Sequence, residues 1–164
     1  MISLKNVLVP TDFSECSDAA VRYGFALAKA FDAKLHLLHV IQDPYTQPWG
    51  AEALPMAIGD LVSEWQAQAQ KRLDATVPPA DRDRVVTACK VAAPYSEILR
   101  YANEQKIDLI VLGTHGRGPM AHMLLGSVAE KVVRRAPCPV LTVRHPQHEF
   151  VEDEVTADQV AGVR

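Results

Sequence analysis

The sequence predicts an α/β protein, a single doubly wound domain whose five-stranded parallel sheet is flanked by four helices. Three observations point there. Five short apolar runs rich in β-branched residues recur at 6–9, 35–41, 85–91, 107–112 and 140–143. Segments with helical spacing of apolar residues separate them. The fourth run, Ile107-Asp108-Leu109-Ile110-Val111-Leu112, is nearly continuous, as expected of a strand covered on both faces. The order βαβαβαβαβ then calls for right-handed crossovers in one sheet.

Each helix carries its own signals. After the first run, Ser14 or Ser17 can cap a helix whose stripe is Ala20, Tyr23, Leu27, Ala30 and Phe31. Leu61, Trp65, Ala69, Leu73 and Val77 form a second stripe. Pro94 suits the first turn of a shorter helix bearing Ile98, Leu99 and Ala102. The fourth helix shows Val128, Ala129, Val132, Val133 and Ala136, and Pro137 and Pro139 stop it. A long irregular segment at 43–59, with Pro44, Pro48, Pro55 and Trp49, is expected as a variable connection, a lid or a partner surface.

At 164 residues the chain suits one domain at 1–145 with an acidic tail at 146–164. Its 48% hydrophobic and 23% charged residues exclude wholesale disorder. The net charge of −3 is uneven: residues 149–164 hold five of the 20 acids and one of the 17 bases. The rest is nearly neutral, which argues against nucleic acid as a partner. No apolar run reaches the roughly 20 residues of a membrane span, and no signal peptide is evident. Cys16, Cys89 and Cys138 lie far apart without metal-ligand spacing, so reduced thiols and a cytoplasmic location are expected.

The most specific chemical signal is Gly113-Thr114-His115-Gly116-Arg117-Gly118, followed by Gly126-Ser127. It lies between the fourth strand and the fourth helix, where unpaired N–H groups and a partial positive charge favour an anion. It is neither a Walker A motif nor G-x-G-x-x-G. In open α/β sheets ligands bind beyond the carboxyl ends of strands where crossovers switch direction. The loops after the first and fourth runs qualify, and they are neighbours if those strands are adjacent.

The longer spacing, G-x2-G-x9-G-S, resembles the ATP-binding branch of the universal stress protein family. The likeness extends from Asn6-Val7-Leu8-Val9-Pro10-Thr11-Asp12 to Ala136-Pro137-Cys138-Pro139-Val140-Leu141, and covers residues 3–144. It implies strand order 3-2-1-4-5, adenine-nucleotide binding (ATP, ADP or AMP) and a homodimer through Val140–Val143. It further implies that Pro10, Thr11 and Val40 line an adenine pocket with Leu112 beside the base. By the same resemblance Asp12 meets the ribose side, or a Mg²⁺ carried by the nucleotide, and Gly113 and Gly116 let the backbone wrap phosphates. Gly126, Ser127 and Val128 would present N–H groups and a hydroxyl to them. Between Gly116 and Gly126, where relatives usually carry more basic or threonine-rich residues, Gly118-Pro119 leaves Arg117 as the main cation and His115 as a weaker one.

Other residues have plainer readings. Ser127 and Glu130 fit a capping box. His36 and His39, three apart on a strand, point to opposite faces and cannot share an ion. His145 and His148 suit a solvated exit from the last strand, and Cys138 a small buried hydrophobe. Lys131, Arg134 and Arg135 complement a helix C-terminus. Two functions follow: a nucleotide-binding stress-response regulator read by an unknown downstream protein, or a slow ATPase or adenylyl-transferring enzyme with Asp12 on Mg²⁺ and His115 or Arg117 assisting. A dimeric interaction protein that has lost its ligand is a third.

Overall fold

A computed structural model describes residues 1–44, 58–114 and 125–144. Strands β1 (Asn6–Pro10), β2 (Lys34–Gln42), β3 (Val85–Ala92), β4 (Leu109–Gly113) and β5 (Val140–Val143) alternate with helices α1 (Glu15–Phe31), α2 (Ile58–Thr76), α3 (Pro94–Glu104) and α4 (Ser127–Arg135). All pairings are parallel, in the order β3-β2-β1-β4-β5. The predicted fold class and strand order are therefore correct, and β1 and β4 are neighbours. The fourth strand starts at Leu109 rather than Ile107. Asp108 is occupied otherwise: its Oδ2 accepts the N–H groups of Lys5 at 2.7 Å and Asn6 at 2.9 Å, and so anchors the entry to β1.

The strand alternation builds two cores. Val7, Val9, Leu35, Leu37 and Val111 face α1 and α2, while Leu8, Leu38, Ile110 and Leu112 face α3 and α4. The largest fully buried side chains come mostly from β1, β2 and β4, so the central strands hold both layers together.

The predicted helix stripes hold in part. Along α2 and just beyond it Ala69, Leu73 and Val77 face inward as expected, but Leu61 and Trp65 are 44% and 46% exposed, while Gln66 and Gln70 turn toward the sheet. Gln66 donates to the Cys89 carbonyl at 3.0 Å and Gln70 to Thr87 Oγ1 at 2.8 Å, which ties that face to β3. Ala30 and Phe31 are exposed where α1 ends, at a left-handed Asp32. In α4 the buried line is Ala129, Val132 and, partly, Ala136. Val128 and Val133 stand on its flanks, exposed. Ser14 is the cap of α1 and Ser17 its reciprocal partner, while Pro94 opens α3 as expected.

The two strand histidines part as predicted. His39 Nδ1 bonds the Thr11 carbonyl at 2.8 Å. His36 is buried on the α3 side, with Nδ1 3.0 Å from the Tyr101 hydroxyl and Nε2 without a hydrogen-bond partner. Burial, reinforced by the Lys34 charge, holds its pKa below the ordinary 6.5. Unfolded chains therefore take up this proton first as pH falls. Stability should decline as pH drops below about 6.5 and level off once folded His36 is protonated. Urea unfolding across this range should show that slope, and His36→Leu should flatten it; an unchanged slope in the variant would assign the effect elsewhere.

Candidate nucleotide site

The carboxyl ends of β1 and β4 meet the first turn of α1. From β1 the chain enters Thr11-Asp12-Phe13-Ser14, a turn closed by side chains. Asp12 Oδ1 accepts from the Ser14 N–H at 3.0 Å and from its hydroxyl at 2.6 Å. Thr11 Oγ1 accepts from the Phe13 N–H at 3.0 Å and lies 3.1 Å from Ser17 Oγ. Ser14 and Ser17 then form the reciprocal cap of α1. The Thr11 N–H donates to the Leu38 carbonyl at 2.9 Å. The Asp12 carboxylate is thus half-buried and fixed in position before any ligand arrives.

Phe13 is held at φ 61°, a conformation that strains a bulky side chain. Its ring stacks on His39, with centroids 4.5 Å apart, and the Arg72 guanidinium lies 4.2 Å from its centre.

Gly113 ends β4 beneath this turn. A Cβ there would lie 2.8 Å from the Cys16 carbonyl oxygen and 2.9 Å from its carbon. No described glycine has a positive φ, so Gly113 serves close backbone approach rather than unusual dihedrals. Thr114, buried, donates its N–H to the Val143 carbonyl at 2.9 Å, and its own carbonyl accepts the Gly126 N–H at 2.6 Å. The glycine-containing loop therefore leaves at Thr114 and returns at Gly126 through one hydrogen bond.

Gly126, not Ser127, is the cap residue of α4, so the predicted Ser127–Glu130 capping box does not form. Ser127 already occupies the first helical position, and among the described residues no side chain caps the end. Glu130 instead pairs with Arg134. Ser127 and Val128 are exposed at this end, and among the described residues no side chain accepts from the first-turn N–H groups.

Of the predicted site residues, Pro10, Thr11, Asp12, Gly113, Gly126, Ser127 and Val128 gather at this edge. Val40, near the end of β2, and Leu112 pack with the α3–α4 core, and Leu112 is buried there. His115, Gly116 and Arg117 lie outside the described residues. Sequence reasoning missed Phe13, Cys16, His39 and Thr114. Only the polar pattern Thr-Asp-x-Ser, a turn signal, hinted at the first of them. Among the described residues no cluster of three or more His, Cys, Asp or Glu could hold a metal ion, and no helix is long and apolar enough to cross a membrane.

Comparison with known proteins agrees with this architecture. The model of the Universal stress protein family matches residues 3–144. The chain belongs to the universal stress protein family. A universal stress protein of Methanocaldococcus jannaschii is 34% identical over 145 residues, covering 88% of this chain and 85% of the relative. The solved universal stress protein UspA from Lactobacillus plantarum superposes with a TM-score of 0.69 at 28% identity, covering 88% of this chain and all of that one. A further universal stress protein, crystallised in complex with cAMP, has a TM-score of 0.59 at 27% identity over 87% of this chain and 98% of its own.

The Gly113–Cys16 approach should be testable directly. Gly113→Ala must push the backbone of β4 from α1 and should cost on the order of 1–3 kcal/mol in chemical unfolding, the usual scale for overpacking. Ser14→Ala, which removes one cap, should cost about 1 kcal/mol.

Proposed function

We propose that the chain binds an adenine nucleotide at the β1–β4 edge, and that occupancy alters a conformational or dimer equilibrium read by a partner. One observation carries this reading: the N-terminus of α4, whose cap residue is a glycine, stands at the return of a glycine loop whose entry, Gly113, packs against Cys16 in the first turn of α1, the helix that the Asp12-bearing turn opens. The nucleoside needs an acceptor for sugar hydroxyls, and the phosphates need unpaired N–H donors; the two are supplied by adjacent strands. That a relative was crystallised with cAMP supports an adenosine ligand.

The described residues bring no cluster of three or more metal-ligating side chains to this edge. That suits a Mg²⁺ bound chiefly through nucleotide phosphates rather than by a protein cage. Bound in that way, the ion would neutralise phosphate charge, with Asp12 as a single oxygen ligand. The sugar, or that ion, would meet a carboxylate already oriented by Ser14.

β5 ends the sheet, with Val140 and Leu141 half-exposed. A short apolar edge of this kind suits pairing with a second copy. Light scattering at micromolar concentration should give the mass of a dimer; a monomeric mass would count against that pairing.

Isothermal titration with ATP, ADP, AMP and cAMP should show saturable binding, and its absence at millimolar nucleotide would refute the nucleotide reading. Asp12→Asn keeps the acceptor oxygen for Ser14 but removes the charge. It should weaken binding about ten- to a hundredfold, the scale of a charged hydrogen bond of roughly 1.5–3 kcal/mol.

A further inference from the structure

On the face opposite α3 and α4, a groove of 420 Å³ runs between α1 and α2. Phe13, Val21 and Phe25 give it an apolar wall, and Arg22 and Arg72 bring two guanidinium groups against one carboxylate, Asp18. Arg72 forms no salt bridge among the described residues and lies over the Phe13 ring. The lining thus sets two cations and one anion beside an apolar wall, which an occupant both apolar and acidic complements.

Residues 149–158 have that composition. The stretch Glu149-Phe150-Val151-Glu152-Asp153-Glu154-Val155-Thr156-Ala157-Asp158 holds five acids, no base and three large apolar side chains. The described chain also ends within reach of the groove. The Cys16 thiol lies 3.7 Å from the Val143 carbonyl, so the last strand ends against the first turn of α1. From there Arg22 is six residues along the helix, about 9 Å. Residues 145–148 can span roughly 13 Å before the first acid.

We infer that the groove between α1 and α2 is a docking site for the chain's own acidic C-terminal segment, residues 149–158. Charge complementarity and apolar contact recognise it, and the short connection raises its effective concentration. The site is separate from the nucleotide edge and stands or falls without it, although Phe13 borders both.

Paramagnetic relaxation in the full chain tests this. A nitroxide is placed at Thr156→Cys in a Cys138→Ser background, where the remaining cysteines, Cys16 and Cys89, are buried. Amide signals of Val21, Arg22, Phe25 and Thr76 should lose intensity, while those of α3 keep theirs. The signals should recover near 1 M salt, where the Debye length is about 3 Å. Arg72→Gln should restore them, and so should Glu152→Gln, Asp153→Asn and Glu154→Gln together, changes that leave the groove itself intact. Uniform broadening, or none, would overturn the proposal. So would broadening seen in a mixture of labelled and unlabelled chains, which would place the segment on a second copy.

Discussion

The absence of a Cβ at Gly113 is the constraint on which this end of the molecule depends. Strand β4 and the first turn of α1 approach until backbone meets backbone, with 2.8 Å left for an atom that is not there. With that approach, the carboxyl end of β4 lies against the helix that the turn from β1 opens. Any larger residue would separate them and open the edge at which ligands of doubly wound sheets bind. Cys16 belongs to the same contact, as its thiol reaches the β5 carbonyl of Val143 and links three strands' ends through one helix turn. The glycine motif thus has a packing origin at its first position, independent of any phosphate.

Much of the fold was legible because it rests on period and order. Apolar runs separated by helical patterns specify a parallel sheet, and the observed strands fall within two residues of the expected ones. Helix orientation was less legible. Ala69, Leu73 and Val77 lie inward as their spacing predicts, but Leu61 and Trp65 are apolar yet exposed, and the glutamines Gln66 and Gln70 face β3 and satisfy its backbone and hydroxyl groups. A hydropathy stripe cannot register a glutamine whose partner is 17 or 23 residues away.

The site divides along the same line. Asp12, Gly113 and Gly126 stood out because they follow apolar runs and, for the glycines, keep a fixed spacing. Phe13 and His39 did not, since a ring stack formed across two strands leaves no local pattern. The capping box at Ser127 failed for a related reason. The S-x-x-E spacing was present, but Ser127 lies one position too far into the helix, and the glycine before it took the cap. Position relative to the helix start, rather than residue type, decides between a self-satisfied end and one left open to an anion.

Phe13 shows how these features combine. A bulky residue at φ 61° costs on the order of 1–3 kcal/mol and persists only where its surroundings over-determine it. Here the backbone N–H is held by Thr11 Oγ1, and the ring by His39 and by the Arg72 guanidinium. The strained turn positions Asp12, so its geometry draws on contacts from β2 and α2. A change on the α2 side can reach the Asp12 turn through a single aromatic ring, without moving the sheet.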